Sequence, residues 1–263
     1  MSFELLTDEE RFLSAHISDL AALSRRTGVP RFSRFLNERE MLIAQNAARS
    51  AGAAGAQKAE PLFYGGYDGA ARTVCGFFDG TYAEEMPQED KLGLFPVRAV
   101  TFSFRNCDKL THRDFMGAIL NIGLERSVLG DITVAEDHAV VFCLEMSEEL
   151  IGGLTKIGKV GVRSEQGITR ELPKAKFEAF DRTVSSLRLD RVVGACANLS
   201  GDRSASLIRS GQVSADFSVC LNVSSTVKEN SVISIRGYGR FRLSKIVGET
   251  KKGKIHIIIE KYA

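Results

Sequence analysis

Between Phe95 and Gln166 the spacing of apolar residues switches repeatedly between two and roughly 3.6, and that succession narrows the fold more than anything else in the chain. PVRAVTFSF alternates as a strand does. THRDFMGAILNIGLERS carries Phe115, Ile119 and Ile122 at helical spacing, with Gly123 as its stop. GDITVAED and HAVVFCLE are two further strands around a turn near Asp137. MSEELIGGLTKIG reads as a second helix and KVGVRSEQ as a last strand. The order is βαββαβ, that of ferredoxin-like folds, which include many RNA-recognition modules. The aromatic signature of those modules is missing from the central strands, so RNA binding by this unit rests on fold analogy alone.

Catalysis and metal chemistry find little support. Thr111, His112, Arg113 and Asp114 put a hydroxyl, an imidazole and a carboxylate in a row, but neighbours on a helix do not face one another. Thr111 as helix cap, with Asp114 three positions on, accounts for them instead. Gly65-Gly66 is followed by no Gly-Lys-Ser/Thr and no helix, as a phosphate loop would need. The five cysteines (75, 107, 143, 196, 220) are widely spaced and contain no CxxC. No cofactor, no metal and no enzymatic activity is expected.

Charge is distributed unevenly. From Ser186 onward there are 13 Lys+Arg against 6 Asp+Glu, while the preceding residues carry 22 against 27. A basic module on a mildly acidic body is the pattern of a nucleic-acid binder with a separate protein face. No apolar run is long enough to span a bilayer, and MSFELLTDEERFLSAHISDL has acids where a signal peptide needs bases. A cytoplasmic protein with no membrane partner is expected.

The basic module reads as two short helices followed by short strands. Leu189, Val192, Val193 and Cys196 recur at helical spacing, as do Leu207 and Ile208 beyond a break at Asn198–Gly201. Ser186 and Ser200 stand at expected N-caps and Gly211 at a helix stop. The strand runs are Gln212–Ala215, Val219–Val223, Val232–Arg236, Arg240–Val247 and IHIIIE near the end. Arg188, Arg191, Arg203 and Arg209 lie on the polar side of the helices, where guanidinium groups and helix N–H donors suit phosphates.

This stretch resembles the S-four domain, a small RNA-binding fold also called the alpha-L motif. The resemblance rests on Arg188-Leu189-Asp190, Leu199-Ser200, Leu207-Ile208, Gly211-x-Val213, the run Val227–Ile235 and the closing Arg236–Phe241. The family's Ser-Arg-Ser at the second helix is here Ser200-Gly201-Asp202, with arginine at 203; its Asn-Gly is here Asp216-Phe217. Earlier blocks are similar, in order, to the YlmH family of bacterial RNA-binding proteins: FSRFLNEREMLIAQ, FYGGYDGAARTV, LTHRDFMGAILNIGLERSVLGDI and LTKIGKVGV.

The resemblance implies an α+β chain. A helical N-terminal region would span 1–59, a ferredoxin-like, RNA-recognition-like domain 60–172, a linker 173–185 and the S-four domain 186–263. It implies a non-enzymatic protein that binds ribosomal RNA and peptidyl-tRNA on the large ribosomal subunit, in quality control by C-terminal tailing of stalled chains. Arg188, Asp190, Arg191, Ser200, Arg203, Arg209 and Gln212 would line the RNA site, widened by Arg236, Arg240 and Arg242. Apart from the resemblance, charge alone makes Gly248–Lys254 a basic hairpin tip, where Lys251, Lys252 and Lys254 either reach phosphates or form a solvated turn. Two other expectations stand beside it: an RNA-modifying enzyme carrying an S-four domain, and a cell-division adaptor using the acidic N-terminal half for protein partners.

Overall fold

The computed structural model describes residues 6–52, 61–79, 82, 85–173, 177–216, 218–249 and 253–262. Helices and strands combine in an α+β arrangement, and the chain divides into two compact units, Met1–Pro173 and Lys174–Ala263.

The first unit starts with α1 (Asp8–Thr27). Thr7 and Glu10 cap it reciprocally: the Glu10 N–H donates to Thr7 Oγ1 (3.2 Å), and the Thr7 N–H to Glu10 Oε2 (3.0 Å). Ile17, Ala21 and Ser24 form its buried face, whereas Phe12 is 77% exposed. The N-terminal region is also not helical throughout. Arg31–Leu36 is a strand, β1, between α1 and α2 (Glu38–Gly52). Its six residues are too few for periodicity to distinguish strand from helix, and their pairing with a distant strand decides the matter. That partner is β3 (Thr73–Phe77), which also pairs with β2 (Leu62–Tyr64), giving the order β1-β3-β2.

After the short α3 (Gln88–Gly93) comes the strand-helix succession read from the sequence. It comprises β4 (Val97–Ser103), α4 (His112–Asn121), β5 (Leu129–Val134), β6 (His138–Leu144), α5 (Glu148–Gly152) and β9 (Arg163–Gln166). A small hairpin of β7 (Lys156–Ile157) and β8 (Val160–Gly161) precedes the last strand. The second helix is thus one turn rather than the expected thirteen-residue run. The four strands pair antiparallel in the order β5-β6-β4-β9. Phe102 packs on Phe115 of α4 at 5.5 Å.

The opposite face of this sheet is covered too. Gly66, at φ +101°, lies so close to Phe142 that a Cβ there would come within 2.4 Å of the ring, and Tyr67 stacks on the same ring at 4.8 Å. The Gly65-Gly66 pair therefore serves close packing. Asp131 pins the loop, accepting from Tyr67 OH (2.7 Å), Ala71 N (2.7 Å) and Arg72 N (3.1 Å). Farther along, the Thr101 hydroxyl donates to Gly167 O and accepts from Thr169 N.

The second unit opens with β10 (Phe177–Val184), inside what was expected to be a linker at 173–185. All eight residues pair with β15 (Ile255–Tyr262). The strand escaped notice because it is an edge: charges interrupt its alternation, and Val184 is its one buried residue among those whose burial is described. Then come α6 (Leu189–Ala197), α7 (Gly201–Arg209), β11 (Val213–Ala215), β12 (Ser218–Val219), β13 (Val232–Ile235) and β14 (Gly239–Glu249). The sheet order is β10-β15-β14-β13-β11-β12. Leu189, Val192, Val193, Cys196, Leu207 and Ile208 pack with Ile233, Ile235, Phe241, Leu243, Ile257 and Ile259 in one core. No helix among the described residues is long and apolar enough to cross a membrane.

Candidate RNA interface

The α6–α7 pair is built by its caps. Arg188, not Ser186, is the N-cap of α6, because the Leu189 and Asp190 N–H groups donate to Ser225 O and Val223 O and fix where the helix begins. Asn198, in the left-handed conformation at φ 53°, closes α6 and turns the chain. Ser200 then caps α7, its Oγ accepting from Arg203 N (3.3 Å). Gly211, at φ +70°, ends that helix.

These turns bring four of the expected arginines onto the two helices. Arg191, Arg203 and Arg209 are exposed and form no ion pair among the described residues. Arg191 reaches from α6 to the start of α7. A Cβ added at Gly201 would lie 3.0 Å from its Nη1, so the absence of a side chain at 201 leaves the guanidinium its place. A cation there stands beside the positive end of a helix, with only the exposed Asp202 in the first turn to offset it. That arrangement favours an anion.

Arg188 differs. Its Nε and Nη2 both donate to the Asp190 carboxylate at 3.1 Å, forming a bidentate pair in which Asp190 is 6% exposed. The guanidinium holds the Asp190 carboxyl below the usual carboxylate range. Asp190 thus orients Arg188 rather than facing solvent itself. Gln212 sits past the end of α7; its side chain donates to Ser210 Oγ (2.8 Å) and its carbonyl accepts from Arg236 N (2.9 Å). Arg236, exposed at the β13–β14 turn, is therefore tied to this end of α7.

Arg240 and Arg242 do not widen the helical surface. They alternate on β14 with the core residues Phe241 and Leu243 and are paired in register with Ser234 and Val232, so they point from the opposite face of the sheet. There Arg242 donates to Glu260 through Nε (3.0 Å), and Arg240 lies over the Tyr262 ring at 5.5 Å. Lys254 is exposed just ahead of β15; Lys251 and Lys252 lie outside the described residues, as does Phe217. Asp216 takes φ 47°, a conformation the family's asparagine tolerates equally, and accepts from Val232 N and Ser231 Oγ.

One arginine was missed. Arg182 of β10 stacks over Phe180 at 4.7 Å and donates to Ala195 O near the end of α6 (3.3 Å). The signal was the alternation Phe180, Arg182, Val184 in a stretch taken for a linker. Among the described residues no group of three or more His, Cys, Asp or Glu side chains could hold a metal ion.

Known proteins bear on this geometry. A family model described as "Putative RNA-binding domain in YlmH" matches residues 97–171. Over 205 residues the chain is 35% identical to ribosome-associated protein quality control protein P2 of Bacillus subtilis (strain 168), across 76% of this chain and 77% of that one. The solved structure of cell division protein ylmH from Streptococcus pneumoniae superposes with a TM-score of 0.51 at 19% identity, over 66% of this chain and all of that one; the likeness is one of fold.

Proposed function

The chain belongs to the YlmH family, and from that membership we propose that it is a ribosome-associated RNA-binding protein of translational quality control, meeting RNA through the α6–α7 face. The observation that carries this reading is the set of Arg191, Arg203 and Arg209, which form no ion pair among the described residues, with Arg191 held at the start of α7. In this reading 174–263 is an S-four domain, supported by two capped helices on one face of an antiparallel sheet. The order β5-β6-β4-β9 supports a ferredoxin-like domain in the first unit. The protein acts without catalysis in the cytoplasm. It holds ribosomal RNA of the large subunit and peptidyl-tRNA while residues are added to a stalled chain, a role the name of the Bacillus relative supports as far as the ribosome and quality control.

Contacts of arginine with phosphate position an RNA without reading its sequence, and each displaces counterions. Co-sedimentation with separated ribosomal subunits over a salt series tests the reading. The full chain is expected to travel with the large subunit and to leave it as salt rises. Arg191→Ala and Arg203→Ala should each weaken binding and reduce the salt slope by about one. Equal affinity and slope for parent and both variants would refute the assignment.

A further inference from the structure

The first unit contains the segment that matches the RNA-binding family model, yet the helix-free face of its sheet is closed to a nucleobase. Thr101, Val140 and Phe142 of that face are fully buried beneath the 65–72 loop and the segment from Gly167 to Thr169. An RNA chain meeting this unit has to use another surface.

One surface has the required chemistry. Arg126, in the turn before β5, is exposed, and its Nη1 donates to Met116 Sδ of α4 (3.7 Å). Met116 lies one helical turn beyond His112, on the same stripe, so the Arg126 guanidinium is brought across α4 toward the imidazole. Arg72 comes from the loop side: its Nη2 donates to Arg126 O (3.2 Å) and Phe35 O (3.3 Å), its Nε to Leu129 O (2.8 Å). Two guanidinium groups and an imidazole from three separate elements thus converge. Few carboxylates oppose them. Asp131 faces Arg72 and His112 but is committed to Tyr67 and the loop amides. Glu125 is paired with Arg34, Asp114 is turned back on Thr111, and Glu40 caps α2 through Asn37. Among the described residues Arg126 has no ion pair.

We propose that Arg126, His112 and Arg72 form a second phosphate-contacting surface, through which the first unit grips the backbone of the RNA that the α6–α7 face also binds. The proposal rests on the RNA-binding reading above. Burial, and then the Arg126 charge, push both His112 and Arg72 toward their neutral forms. The cluster repels itself, and a phosphodiester placed among the three groups relieves that repulsion. An RNA backbone fits better than an acidic peptide, because His112 and Arg126 both lie within the residues matched by the RNA-binding model.

The test uses the full chain and purified large ribosomal subunits. Arg126→Ala should lower affinity about five- to tenfold and the salt slope by about one, while Arg126→Lys, which keeps the charge, retains most of the binding. In the parent protein, bound subunits should slow the modification of His112 by diethyl pyrocarbonate, a readout that needs no variant. If Arg126→Ala binds like the parent and His112 is labelled equally with and without subunits, the second surface is refuted. The RNA-binding reading still stands in that case, provided Arg191→Ala and Arg203→Ala lose affinity. If the parent itself binds neither subunit, the reading falls and this surface with it.

Discussion

Asp190 shows how a residue can serve an interface it does not face. Its carboxylate is nearly buried and held below the usual range by the Arg188 guanidinium. A carboxyl with a depressed folded pKa contributes stability above its unfolded pKa, near 3.9, and that contribution is lost as pH falls through the folded value. Asp190→Asn should therefore cost about 1–2 kcal/mol at pH 7, the lower end applying because Arg188 stays half exposed. The deficit should shrink as urea titrations are repeated toward pH 3. Gly201→Ala separates binding from folding. Its Cβ displaces the tip of Arg191, a flexible group, so stability should hold while RNA affinity falls about fivefold. Loss of both together would argue that Arg191 is a structural strut. The thiols offer a plainer test. Burial pushes Cys75, Cys143 and Cys196 up to about 12, so at neutral pH iodoacetamide should label exposed Cys107 and spare those three.

Elements explain what single residues do not. The four-stranded sheet resembles a platform for nucleobases in its strand order, but the 65–72 loop lies on the face such a platform would use. Gly66 makes that cover possible. Gly66→Val should destabilise the first unit by about 2–4 kcal/mol, through contact with Phe142 and a positive φ that valine resists. Denaturant midpoints at constant slope would show it. In the second unit β15 is central, paired on both sides, and Ile257 on it is fully buried. Ile257→Ala should cost about 2–5 kcal/mol.

At the scale of the whole molecule, a net charge of +2 conceals an excess of seven positive charges beyond Ser186 and a deficit before it. The excess is not all available to one partner. Arg240 and Arg242 leave by the far face of the sheet, the latter paired with Glu260, while Arg191, Arg203 and Arg209 remain on the helices with no ion pair among the described residues. The salt dependence of binding should accordingly report fewer phosphates than the cation count of this unit suggests. Conversely, the first unit, acidic in sum, still concentrates Arg72, His112 and Arg126 at one place.

The sequence by itself determined the α+β class, the βαββαβ succession, the two short helices with Ser200 and Gly211 at their ends, and the arginines they carry. Each depends on local spacing and caps, which act over a few residues and can be read in order. It did not determine β1 or β10. Both are short strands whose partners lie far along the chain, and an edge strand with charged residues shows little of its pairing locally. Only the tertiary structure decided which cations share a surface. Pairing across β13 and β14 sent Arg240 and Arg242 away from the helices, the vacancy at Gly201 gave Arg191 its seat, and packing on Met116 brought Arg126 toward His112. Such groupings follow from which backbones lie side by side, information that composition and periodicity do not contain.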